Sequence, residues 1–208
     1  MEQLVRLTGI AAPILRINID TDQIIPGREV MRGHREGYGA GLFGYWRYVA
    51  DRTPNPDFIL NKAPWKEATI LLADRNFGCG SSREEAPKAL RGFGFRAVVA
   101  PSFGGIFYNN CFRNGVLPVE LPIGEVRLLA EQMEASRGNG RVTIDLEAQT
   151  VTAPQGETFA FRTPTLLRRM LLEGLDEIAL TLAMRPQIDS FRAADAGKRP
   201  WAYRAGGG

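Results

Sequence analysis

Histidine and cysteine are scarce in this chain. Its 208 residues include one histidine, His34, and two cysteines, Cys79 and Cys111. The cysteines lie too far apart for a CxxC pair, and no Cys or His flanks either one at metal-ligand spacing. A four-ligand zinc site or an iron–sulfur cluster held by this chain alone is therefore excluded. At most one disulfide is possible, and a cytosolic setting argues against it. A Ser–His–Asp hydrolase fits poorly, because the GxSxG elbow is absent and His34 is the sole imidazole. The phosphate loop GxxxxGK followed by Ser or Thr is missing as well.

Charge and long apolar runs are also in short supply. The net charge is only +3, and the Lys and Arg residues are spread along the chain instead of forming a stripe. Nucleic acid and membrane surfaces are thus not expected partners. No stretch reaches the ~18 apolar residues that span a bilayer. The start, Met1-Glu2-Gln3-Leu4-Val5-Arg6, lacks the layout of a secretion signal, so the expected location is cytoplasmic. What remains is ordinary soluble material, 44% hydrophobic and 24% charged, long enough for one large domain with a real core.

The pattern along the chain predicts an α/β fold. Residues 4–19 alternate weakly around Ile10, Ile14, Ile17 and Ile19 and read as short strands. Asp20-Thr21-Asp22-Gln23 is a turn by composition, stabilised by its own side chains and not a metal pair. Residues 27–56, rich in Gly, Arg and aromatics, read as a long loop that is functional or folded over another surface. A strand at 68–73, a helix near 84–92, a strand at 97–100 and a helix at 103–113 follow. An extended piece at 116–119 leads to a helix at 125–134, a hairpin of 142–146 against 150–152, and a helix at 165–173. One domain over 1–190 is expected, with a polar and mobile tail over 191–208 ending in three glycines.

Between the strand at 68–73 and the next helix stands Asn76-Phe77-Gly78-Cys79-Gly80-Ser81-Ser82-Arg83-Glu84-Glu85. A glycine-spaced turn entering a helix aims backbone N–H groups at one point, where the helix dipole also favours negative charge. Ser82 to Glu85 fits a capping box, which leaves Ser81 spare at the mouth of the turn. A spare hydroxyl there is poised to accept a proton if N–H groups stabilise its alkoxide. Arg83 in a first helical turn opposes the dipole, a small penalty that makes sense when an anionic ligand supplies the missing charge. Its planar fork matches a carboxylate. The residues describe a turn that binds a carboxylate or phosphate and carries a reactive serine.

Gly78-Cys79-Gly80-Ser81-Ser82-Arg83-Glu84 closely resembles the swivel domain of the aconitase superfamily. Residues 18–26 (Asn-Ile-Asp-Thr-Asp-Gln-Ile-Ile-Pro), 56–61, 107–115 and 174–182 resemble the small subunits of bacterial isopropylmalate dehydratases in the same order. The resemblance implies a swivelling β/β/α domain with a mixed sheet or barrel core flanked by helices. It implies a large-subunit partner, in a heterodimer or heterotetramer, that carries a [4Fe–4S] cluster, with no cofactor on this chain. The implied reaction is a hydro-lyase step on a small dicarboxylate, interconverting 2- and 3-isopropylmalate in leucine biosynthesis. By position, Ser81 would abstract and return the carbon-bound proton, Arg83 would grip a substrate carboxylate, and Ser82 would hydrogen-bond beside it. Arg28 or Arg32 would meet the second carboxylate, with Val30 and Met31 either packing on the substrate side chain or belonging to the core.

Three departures bear on substrate choice. Glu85 stands where most members carry a histidine; capping the helix would make it harmless, and facing the pocket would weaken a dianion's binding. Gly104-Gly105 is unusually flexible for a helix start, at about 1 kcal/mol per Gly relative to Ala. Gly27-Arg28 replaces the Lys-Gln common in bacterial members. These leave two alternatives: a related hydro-lyase acting on citraconate, dimethylmaleate or homoaconitate, or a non-catalytic binding protein.

Overall fold

The first strand, β1 (Arg6–Gly9), leads within one residue into β2 (Ala11–Ile14), and the two belong to different sheets. In this computed structural model, which describes residues 1–203, β2 is the edge of a parallel sheet. Its neighbours in order are β3 (Ile70–Ala73), β4 (Ala97–Ala100) and β5 (Leu117–Glu120). Ile70 faces Ala97, and Ala97 faces Leu117. Every residue of β3 and β4 is buried, the uniform apolar run expected of parallel strands covered on both faces. Pro13 and Pro118 sit in the two edge strands, where a missing N–H costs no ladder bond on the outer side.

The second sheet is antiparallel, with β6 (Val142–Asp145), β7 (Thr150–Thr152) and β8 (Thr158–Ala160) in the order β1-β6-β7-β8. The predicted hairpin is its centre. Val142 and Ile144 are buried while Thr143 and Asp145 are half-buried, the alternation of a one-sided sheet. The expected mixture of strand directions is thus divided between two sheets.

Three short helices fill the stretch after β2: α1 (Thr21–Ile24), α2 (Gly27–Glu36) and α3 (Gly44–Arg47). The loop expected over 27–56 is therefore partly helical. The period of α2 is hidden because the residues it buries are Glu29 and Gly33, not apolar ones. The Glu29 side chain is 2% exposed, and its carboxylate takes a 2.8 Å bond from Arg52 Nη1. The segment does fold over another surface, for its turn at Tyr38–Gly41 packs on α4 (Glu85–Phe93). Trp46 stacks on Phe43 at 5.4 Å and takes the Arg16 guanidinium on its ring at 4.6 Å.

Helices α4 and α5 (Gly105–Arg113) follow β3 and β4, and α6 (Ile123–Ala135) lies across β2, β3 and β4. Then come α7 (Thr165–Glu173), α8 (Glu177–Ala183) and α9 (Arg185–Lys198). The polar tail expected from residue 191 is instead helical to Lys198 and closes with a short turn at Pro200–Tyr203. Helix α9 buries only Asp195, so its few apolar side chains do not join the core. Asp195 holds the end by accepting from Arg199 and from the Tyr203 hydroxyl. The terminal glycines lie outside the described residues. No helix among the described residues is long and apolar enough to cross a membrane.

Candidate active site

The glycine-rich turn leaves the C-terminal end of β3 and is gripped from two sides. On one side the Gly78 N–H donates to Ile19 O at 2.7 Å, and Thr21 N–H donates to Cys79 O at 3.0 Å. The buried Thr21 hydroxyl then donates to Ser81 O at 2.8 Å. On the other side Phe77 N–H donates to Ser102 O at 3.1 Å and Gly104 N–H donates to Phe77 O at 2.9 Å. The connections after β2, β3 and β4 therefore meet at one end of the parallel sheet, where open α/β sheets place ligands.

Two glycines make that meeting possible. Gly78 has φ +71°, and a Cβ there would overlap the buried Phe107 ring. A Cβ on Gly104 would overlap the Gly78 carbonyl. Gly104, which looked like a weak helix start, is instead the N-cap of α5 at a close backbone approach. Gly78→Ala combines a left-handed alanine with an overfilled contact, for about 3 kcal/mol of destabilisation. Thermal melting should fall by roughly 6–12 °C. A shift under 2 °C would show that the turn relaxes freely.

Ser81, Ser82 and Arg83 come together in a cleft of about 190 Å³, with Thr21, Ile106 and Phe107 in its walls. Both serines are exposed, and the Arg83 side chain is 26% exposed. Among the described residues, the N–H groups of Gly80, Ser81, Ser82 and Arg83 donate to no protein acceptor. The N–H of Gly78 is not part of this set, because Ile19 takes it.

Ser82 does not cap the helix. Helix α4 starts at Glu85, its N-cap is Glu84, and no side chain caps it. Pro87 explains the late start. Lacking an N–H, it is tolerated only in the first turn, so a helix begun at Ser82 would lose an internal bond. Both serines thus remain free for a ligand.

Arg83 is held by Asp22, an acid of the Asp20–Gln23 turn. Its Nη2 pairs with Asp22 Oδ1 at 2.6 Å, and Nη1 reaches Ile25 O at 3.5 Å. Asp20 behaves as expected: its carboxylate accepts from Gln23 N–H at 2.7 Å, and its own N–H donates to Gln23 Oε1 at 3.0 Å. The clue to Asp22 was its position one residue after Thr21 on a helix that packs against α4. Spacing within the turn alone did not reveal it.

A family model for the aconitase C-terminal domain matches residues 1–124, and a second, LeuD_N, matches residues 127–162. A 3-isopropylmalate dehydratase small subunit from Cupriavidus necator is 53% identical over 205 residues, covering 98% of this chain and 99% of the relative. The chain belongs to the 3-isopropylmalate dehydratase small-subunit family. A relative of the same name from Dinoroseobacter shibae is 50% identical over 202 residues, 97% of this chain and 100% of its own. A solved 3-isopropylmalate dehydratase structure from Methanocaldococcus jannaschii superposes with a TM-score of 0.62 at 26% identity. That match covers 90% of this chain and 99% of the other.

Other predicted family positions fall outside the cleft. Arg28 and Arg32 line a separate cavity of about 360 Å³ with Glu29 and Arg52. They stand one turn apart on α2, 3.7 and 3.9 Å from the Glu29 carboxylate. Arg28 also lies over the Tyr45 ring at 5.2 Å. Val30 packs on the core and Met31 is exposed, so neither shapes the cleft in this chain alone. Glu85 is half-buried and not part of the cleft wall.

Cys79 does line the cleft, but burial and then the Asp20 carboxylate push its thiol up. It stays protonated near neutral pH and is no rival nucleophile. Cys111 is buried in the core, and burial pushes its thiol well up.

Proposed function

We propose that this chain is the small subunit of a 3-isopropylmalate dehydratase, supplying the proton-transfer base and a carboxylate grip for isomerising 2- and 3-isopropylmalate in leucine biosynthesis. The observation that carries this is the juxtaposition of a free Ser81, four uncommitted N–H groups and Arg83 in one cleft.

A carbon-bound proton beside a carboxylate is weakly acidic and needs a strong base. Serine meets that need as an alkoxide. The N–H groups of residues 80–83 and the Arg83 charge lower the cost of ionising Ser81 Oγ. The carbonyl of Ser81 is fixed by Thr21, so the hydroxyl projects from a rigid point. Arg83 would receive the substrate carboxylate on the edge not used by Asp22, and Ser82 would donate a hydroxyl to the same anion.

The family's [4Fe–4S] cluster does not fit this chain. Its two cysteines are Cys79 and Cys111, and Cys111 is enclosed in the core. Among the described residues, no three His, Cys, Asp or Glu side chains converge to hold a metal. The reading assigns the cluster to a large-subunit partner, where it would supply the Lewis acid for the departing hydroxyl.

The test is the pair assembled from this chain and its large subunit, followed by the ultraviolet absorbance of the enoate. Both isopropylmalates should be turned over, with kcat/KM at least ~10-fold above that for the methyl-substituted acid related to citraconate. Preference for that smaller acid would move the chain to the related hydro-lyase. No turnover of any 2-hydroxy diacid would remove the catalytic reading.

A further inference from the structure

The C-terminal helices leave an apolar face that the body of the molecule does not cover. Ile178 is 72% exposed, Phe191 61% and Trp201 68%. Between Met184, Ile188, Phe191 and Tyr203 lies a mostly apolar cavity of about 420 Å³. Several charges of the arm are paired internally, Arg185 with Asp189 at 2.8 Å and Arg199 with Asp195 at 2.7 Å. Those pairs leave the exposed Ile178, Phe191 and Trp201 among charges that are already neutralised within the arm. Residues 204–208, Arg-Ala-Gly-Gly-Gly, contain no large apolar side chain to fill the cavity.

We infer that this arm, α8, α9 and the turn at Pro200–Tyr203, is a docking surface for the large subunit. The inference rests on the small-subunit reading above and adds where the partner sits. Its ground is continuity with the cleft. Helix α5 carries Ile106 in the cleft wall at its start and Arg113 at its end. Arg113 Nε bonds Glu177 Oε1 of α8 at 2.7 Å. The seven helical steps from Ile106 to Arg113 span about 10 Å. A second cavity, lined by Glu84, Arg113 and Ile178, joins the end of the Ser81 turn to the base of the arm.

Size then decides the occupant. A stable interface buries about 800 Å² per partner, a patch roughly 30 Å across. A large subunit that closes the cleft with such a patch also covers the base of the arm at Glu177, about 10 Å along α5 from the cleft wall. A second copy bound to the arm would stand in that partner's path. An exposed apolar face rimmed by charges is the surface such a partner needs.

The test titrates the large subunit against full-length chain carrying Ile178→Asp, Phe191→Asp or Trp201→Asp. These side chains are exposed, so the isolated variants should melt like the wild type. At least one should bind the large subunit ~30-fold or more weakly. Unchanged affinity in all three overturns the inference. So does a wild-type chain that self-associates through the arm while the variants bind the large subunit normally. A wild-type chain that does not bind the large subunit at all removes the small-subunit reading itself, so the two failures are told apart.

Discussion

Ser81→Ala, assembled with a wild-type large subunit, is expected to turn over ~10³-fold more slowly, with KM changed less than about threefold. The side chain is exposed, and the grip on the turn runs through the Ser81 carbonyl, not the hydroxyl. Removing Oγ therefore removes the proposed base and leaves the loop where it was. The melting temperature should stay within about 2 °C of wild type. Ser82→Ala is the internal control. It loses one hydrogen bond to a carboxylate, worth about 1.5–3 kcal/mol, so ~10–100-fold in kcat/KM with a visible rise in KM. Near-normal turnover in Ser81→Ala would end its assignment as base. A larger kcat loss in Ser82→Ala than in Ser81→Ala would exchange the two roles.

The same exposure that makes Ser81 easy to substitute limits what this chain does alone. An alkoxide facing bulk water is stabilised by solvent, and the N–H groups beside it lose strength in high dielectric. A partner that covers the cleft and drives water out removes that solvation and strengthens the N–H groups and the Arg83 charge, which would then carry the alkoxide in its place. On the proposed reading the docking arm and the base are linked, since a partner seated on the arm would also cover the Ser81 turn and sharpen the field of Arg83 and the N–H groups there.

The parallel sheet and its helices were legible because β3 and β4 are unbroken apolar runs followed by turn chemistry. That Ser81, Ser82 and Arg83 share one cleft was legible because a glycine-spaced, cation-bearing helix start is poor structure and good ligand chemistry. Helix α2 escaped because it buries a glutamate, and α9 because it buries almost nothing. Asp22 and Thr21 escaped for a different reason. Their roles depend on a contact between segments 60 residues apart, which no local period records. Arg28 and Arg32 were read as facing the substrate, yet both lie against the Glu29 carboxylate of their own helix.

Arg83→Lys tests the grip on substrate, and the Asp22 contact makes the outcome specific. Arginine presents two edges: one is held by Asp22 at 2.6 Å, and the other has only a 3.5 Å contact with Ile25 O. A lysine ammonium is a single point and cannot serve Asp22 and a substrate carboxylate with the same geometry. Asp22 is always present, so it wins the ammonium, and the incoming carboxylate then meets the Asp22 charge. KM should rise ~10-fold and kcat should fall ~10-fold, about 2.7 kcal/mol in kcat/KM. Adding Asp22→Asn to Arg83→Lys removes the competitor and frees the ammonium, so KM should fall back by ~3-fold. Asp22→Asn in the wild-type background should act the opposite way, loosening Arg83 and raising KM by ~3-fold. That sign reversal is the signature of two residues acting through one contact. Steady-state kinetics on the four combinations measures it. A KM unchanged in Arg83→Lys would show that the guanidinium does not hold the substrate, and Asp22 would then be a structural partner only.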